Sequence, residues 1–193
     1  NSIYATESSN RKFLYIHLVP PHGPYIPPSE FRIFTTPLEE SKIIEPNQEN
    51  LQKIYRAQVK ISAEQLAYIE SLYDANVLFA DHLTEMIFTF LESQGRLNKT
   101  IIFMTADHGE AFMEHAENVD GYYQDFGKTL HGTTVFDEMI HVPFLIRFPE
   151  ELQIPPRRIN HIASIIDIAP TLKDMFGVEH ESDFSGRSLL PVI

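Results

Sequence analysis

Cysteine is absent from the 193 residues. That excludes a disulfide framework, a thiolate metal site and a cysteine nucleophile within them. Basic residues are scarce: 15 Lys and Arg stand against 27 Asp and Glu, a formal charge of −12. Nucleic acid and anionic membrane surfaces both select for basic protein faces, so neither is expected as a partner. One local cluster of cations would still serve a small anionic substrate. No apolar run approaches the about 18 residues of a spanning helix, and no signal-peptide pattern is legible. The chain opens on Asn1-Ser2-Ile3-Tyr4 rather than on Met, so a cut upstream of Asn1 is expected. What remains is ordinary globular material, 43% hydrophobic and 22% charged, and a single domain over 1–193 is expected.

The apolar pattern divides this material into strands and helices. Lys12 to Val19 is a short aromatic and β-branched run stopped by Pro20-Pro21, which reads as a buried strand. The loop over 20–28, PPHGPYIPP, holds five of the 13 prolines and can fix a side chain at little entropic cost. Asn50 to Lys60 reads as helical. Ser62 and Gln65 make a capping box for a helix of roughly eight turns, with apolar residues from Leu66 to Leu91 at steps of three and four and a stop at Gly95. Thr100 to Thr105 and Val142 to Phe148 read as buried strands. Residues 114–131 read as loop, Phe136 to Ile140 as one helical turn, and Ser164 to Phe176 as a helix stopped by Gly177. Apolar strands separated by helices predict an α/β fold, with strands 12–19, 100–106 and 142–148 in one sheet.

Polar residues just beyond strand C-termini are where open α/β sheets place their sites. His22 follows the first strand. Asp107 and His108 follow the second, on a turn that Gly109 permits. His115, Lys128 and His131 lie in the loop before the third. Asp107 and His108 pair a hard oxygen donor with an imidazole, which suits a divalent cation. Each residue alone has a plainer reading: Asp107 as a cap, the histidines as hydrogen-bonded loop residues, Lys128 as a solvated surface cation.

Five segments taken together resemble a family. They are FLYIHLVPPHGPYIPP (13–28), IIFMTADHGEAFMEH (101–115), HGTTVFDEMIHVPFLIRFP (131–149), IASIIDIAPTLKDMFGV (162–178) and SGRSLLPVI (185–193). In this order they resemble the sulfatases of the alkaline phosphatase superfamily. The likeness spans 12–191 and lies in the C-terminal part of the family's catalytic domain. The family's N-terminal segment, with paired metal-binding aspartates and a nucleophile in a [CS]-x-[PA]-x-R motif, has no counterpart here.

The resemblance implies a partial alkaline-phosphatase-like sheet flanked by helices. It implies metal-dependent hydrolysis of sulfate monoesters in an intact parent, with a formylglycine nucleophile supplied by the N-terminal segment. Asp107 and His108 would be metal ligands. Calcium is the expected ion. His108 stands where many relatives have Asn, which leaves room for magnesium, manganese or zinc. His22 would hydrogen-bond or protonate the leaving ester oxygen, and His131 would contact the sulfate, with Lys128 or His131 neutralising its charge. A periplasmic, secreted or membrane-anchored parent follows from the same likeness. These residues by themselves are expected to be inactive, to bind metal weakly or not at all, and to leave an open sheet edge or apolar face, a route to self-association. Two alternatives stay open. One is a phosphonate or phosphate ester hydrolase, or a phosphoglycerol or phosphoethanolamine transferase, of the same superfamily. The other is a non-catalytic binding module.

Overall fold

The computed structural model describes residues 12–124, 130–132, 134–178 and 183–193. Helix α1 spans Gln48–Tyr55, with the Asn47 side chain accepting from the Asn50 N–H at its start. The long helix α2 spans Ala63–Ser93 and carries the expected capping box: Ser62 accepts from the Gln65 N–H, and the Gln65 side chain accepts from the Ser62 N–H. Two of the four orphan N–H groups of the first turn region are thereby satisfied. The helix ends where Gly95 enters the left-handed region at φ 60°. A short helix α3, Asp137–Ile140, and helix α4, Ile168–Phe176, follow; α4 stops at Gly177, φ 63°.

Five strands form two small antiparallel sheets. In one, β1 (Ile61–Ser62), β4 (Tyr122–Gln124) and β3 (Glu117–Val119) lie in the order β1-β4-β3. In the other, β2 (Ile102–Thr105) pairs with β5 (Phe144–Arg147), Phe103 opposite Ile146. The arrangement differs from the expectation in three ways. Residues 117–124, read as loop, form a hairpin whose turn, Asp120-Gly121, has φ 54° and 81°. Two positive φ values in succession are what a type I′ turn needs, and Asp-Gly supplies them. Strands β2 and β5 do share a sheet, but antiparallel. The segment 12–19 forms no strand: among the described residues no neighbouring strand completes a ladder for it, and Phe13, Leu14, Tyr15, Ile16 and Val19 are exposed.

The core lies between α1, α2 and the proline-rich loop: Tyr25, Leu51, Ile54, Ile61, Tyr68, Ile69, Leu72 and Met113. The proline-rich loop and the segment after it are clamped to the core, with the Tyr25 N–H donating to the Pro46 carbonyl and the Thr36 N–H to the buried Ser71 hydroxyl. Phe31, in a 3-10 turn over Ser29–Phe34, packs on Phe79 of α2 at 5.0 Å.

A separate lock joins α4 to the C-terminal tail. Asp167 accepts from the backbone N–H groups of Ser164 and Arg187. Thr171, fully buried, donates to the Asp167 carbonyl and accepts from the Leu189 N–H. Gly186 lies so close to Ile166 that a Cβ would fall 2.2 Å from its carbonyl oxygen. Those two backbone hydrogen bonds hold the Asp167 carboxyl below its usual range. Apolar side chains outside this core stay exposed over a second stretch, Leu152, Ile154, Ile159, Ile162, Ile165 and Ile166, with Ile162 at 87%.

Candidate functional site

The turn Asp107-His108-Gly109-Glu110 leaves β2 and meets α3. The Gly109 N–H donates to the Met139 carbonyl at 2.7 Å, and a Cβ on Gly109 would lie 1.9 Å from the Glu138 carbonyl oxygen. Only glycine allows two backbones to approach this closely. Immediately beyond, Ala111 and Leu130 form an antiparallel bridge with hydrogen bonds of 3.1 and 2.9 Å. In antiparallel pairing the next residues out also face each other, which sets Glu110 beside His131.

Three imidazoles gather there. His108 and His131 stack with ring centroids 4.2 Å apart, and His22 lies against His131 at 5.1 Å. Each ring has its Nδ1 tied to an oxygen: His22 to the Gly23 carbonyl at 2.5 Å, His108 to the Gly109 carbonyl at 2.7 Å, and His131 to Glu110 Oε1 at 3.0 Å. Carbonyl and carboxylate oxygens only accept, so Nδ1 carries the hydrogen in all three. Nε2 is then the bare nitrogen of each neutral ring. That is the tautomer in which Nε2 can bind a metal or accept a proton, with no ring flip required.

Glu110 is buried, its side chain 6% exposed. Its charge also acts on the phenol of the buried Tyr25. Burial first, then the Glu110 charge, push the Tyr25 phenol far above its ordinary value. Tyr73 stands edge-on to Tyr25 at 5.5 Å and is shifted upward by the same causes.

Asp107 is 77% exposed, and its Oδ1 lies 3.8 Å from His108 Nε2. A cation held by both at ordinary ligand distances separates two donors by roughly 3–4 Å, so this pair fits a divalent ion. A cavity of about 470 Å³ opens beside it, lined by Asp107, His108, Thr134, Ser164 and the apolar Ile140 and Phe144. Thr134 Oγ1 is buried with no hydrogen-bond partner among the described residues, a further oxygen donor on the same cavity. The set is nonetheless incomplete: among the described residues no three His, Asp or Glu side chains group closely enough to hold a metal.

Of the residues expected from sequence, His22, Asp107, His108 and His131 are thus brought together. His115 is engaged elsewhere, bonded to Glu138 Oε1 at 2.6 Å and stacked on Phe136 at 3.7 Å, where it pins α3 behind the turn. Lys128 lies outside the described residues. Glu110 and Tyr25 had no role assigned from sequence. Both sit inside the motifs that carry His108 and His22, and that fixed company was the available signal.

The family model described as Sulfatase matches residues 2–178. Arylsulfatase K of Danio rerio is 31% identical over 135 residues, covering 67% of this chain and 22% of that protein. The N-acetylglucosamine-6-O-sulfatase of Bacteroides thetaiotaomicron is 32% identical over 121 residues, 63% of this chain and 19% of that one. The chain thus spans about a fifth of the length of these relatives. Among solved structures, the phosphonate monoester hydrolase of Agrobacterium radiobacter superposes with a TM-score of 0.57 at 27% identity, over 68% of this chain and 24% of that one. The mixed helix-and-strand architecture is that of the alkaline-phosphatase-like hydrolases. Motif order, fold and family model converge, and the chain belongs to the sulfatase family.

Proposed function

We propose that these residues form the metal- and leaving-group side of a site that hydrolyses sulfate monoesters. The observation that carries the reading is the convergence of His22, His108 and His131 from three separate motifs. The sulfatase family implies a divalent metal and a formylglycine. Here Asp107 Oδ1 and His108 Nε2 would hold the metal, calcium first, with magnesium, manganese or zinc as alternatives. Once bound, the ion withdraws charge from the sulfate oxygens.

The remaining chemistry belongs to the chain's own side chains. His22, with Nδ1–H held by the Gly23 carbonyl, directs Nε2 to the leaving ester oxygen. Protonated, it gives up the Nε2 proton and returns to the neutral tautomer its backbone contact already favours. His131 Nε2 contacts the sulfate, and Lys128 or His131 offsets its charge. The exposed apolar residues of 12–19 and 152–166 are the surface on which the nucleophile-bearing part of a larger catalytic domain would pack, residues 1–193 being the domain's C-terminal portion.

A phosphonate or phosphate ester substrate is the second reading, favoured by the structural likeness to phosphonate monoester hydrolases. Turnover of 4-nitrophenyl sulfate and 4-nitrophenyl phosphate, with and without Ca²⁺ or Mn²⁺, separates the two. A longer form of the protein carrying the nucleophile should release nitrophenol from the sulfate and lose this activity on Asp107→Ala. The 193 residues alone should be inert with both esters. Preference for the phosphate would favour the second reading, and Asp107-dependent turnover by the 193 residues would show that they contain a nucleophile.

A further inference from the structure

We propose that Glu110 is a positioning residue for His131: its carboxylate holds the Nδ1–H and so fixes the ring with Nε2, not Nδ1, presented to the site. The inference rests on the reading of His131 as the sulfate-facing imidazole. Three observations carry it. First, Glu110 is buried while the neighbouring Asp107 is open to solvent. A buried carboxylate persists only when its oxygens are hydrogen-bonded, so its partners are part of its function. Second, the partner it has is His131, whose Nδ1–H donates to Glu110 Oε1 at 3.0 Å. Third, the surroundings of the pair are rigid. Tyr25 is fully buried and meets the rings of Tyr73 and Phe112 at 5.5 and 5.8 Å, while the Ala111–Leu130 bridge fixes the backbones that carry Glu110 and His131.

His131 differs in this from the other two imidazoles. His22 and His108 are oriented by carbonyls of their own neighbouring residues, contacts that survive any local rearrangement. The orientation of His131 depends on a side chain brought from another loop. A carboxylate behind an imidazole sets which nitrogen is bare, and replacing it by an amide yields the wrong tautomer with the geometry intact.

The test is the ¹⁵N spectrum of the 193-residue chain with labelled histidine, at fixed neutral pH. Wild type should show His131 with hydrogen on Nδ1 and none on Nε2. Tyr25→Phe leaves the carboxylate and should keep that tautomer. In Glu110→Gln the amide NH₂ can face Nδ1 as a donor, and the hydrogen should move to Nε2. Glu110→Asp withdraws the carboxylate by one methylene, so the Nδ1–H proton should shift upfield and exchange faster with water. A wild-type His131 protonated on Nε2, or one indifferent to both Glu110 substitutions, would overturn the proposal. Failure of the functional reading looks different: inorganic sulfate would leave the His131 Nε2 resonance unmoved while the tautomer still followed Glu110.

Discussion

The imidazoles of His108 and His131 stack with their planes 25° from parallel and their centroids 4.2 Å apart, although one follows β2 and the other precedes α3. Two electron-rich rings in van der Waals contact, each with a bare Nε2, form a patch that accepts a cation or, once protonated, an anion. The stack exists because the Ala111–Leu130 bridge draws the two loops together. The chemistry of the site therefore depends on backbone pairing as much as on the imidazoles themselves.

Gly109 is the tightest point of that arrangement. Its added Cβ would meet a backbone carbonyl at 1.9 Å, and a carbonyl in helix α3 cannot swing aside as a flexible side chain can. Gly109→Ala should destabilise the chain by about 1–3 kcal/mol, the usual cost of overpacking. Urea denaturation measures this as a lowered midpoint at unchanged slope. A midpoint equal to wild type would show that the turn and α3 do not touch as described.

How much of this was legible beforehand follows from where each signal resides. The α2 boundaries were readable because Ser62, Gln65 and Gly95 act on their own backbone. The Asp120-Gly121 hairpin turn was equally local but was submerged in a polar stretch, 114–131, that reads as loop. The run 12–19 has strand composition and no strand, since a ladder needs neighbours that composition does not supply. His22, Asp107, His108 and His131 stood out because their motifs fall in a fixed order. Glu110 did not, because it acts from behind His131 through a contact between distant segments.

Asp167 predicts an acid-sensitive lock. Its carboxyl is held below the ordinary value by the Ser164 and Arg187 N–H groups, so the folded state binds its proton more weakly than the unfolded state. The stabilisation is complete above the unfolded value near pH 4 and is lost as pH falls through the lower folded value. Asp167→Ala strands two backbone donors and should cost about 1–3 kcal/mol near neutrality. The difference from wild type should shrink on going to strongly acid solution. A gap that stays constant with pH would assign the effect to packing alone.

Tyr25 makes the opposite prediction at the alkaline end. Its folded value lies far above 10.0 through burial and the Glu110 charge. Above the ordinary phenol value the unfolded chain releases this proton and the folded chain keeps it, so stability falls as pH rises. Tyrosinate absorbance near 295 nm should show Tyr25 ionising only as the protein unfolds. Tyr25→Phe should lessen the alkaline loss of stability relative to wild type. Normal titration of all eight tyrosines in the folded protein would contradict the burial of Tyr25.

The central proposal is that His22 and His131 share one site with Asp107 and His108, the pair that would take a divalent metal. Paramagnetic broadening by Mn²⁺ in the histidine-labelled chain tests it most directly. Substoichiometric Mn²⁺ should broaden the imidazole signals of His108 first and His131 and His22 with it, and leave His82, paired with Glu85 on α2, sharp. Asp107→Ala should abolish the effect. Broadening that ignores these three rings, or that persists unchanged in Asp107→Ala, would contradict the account.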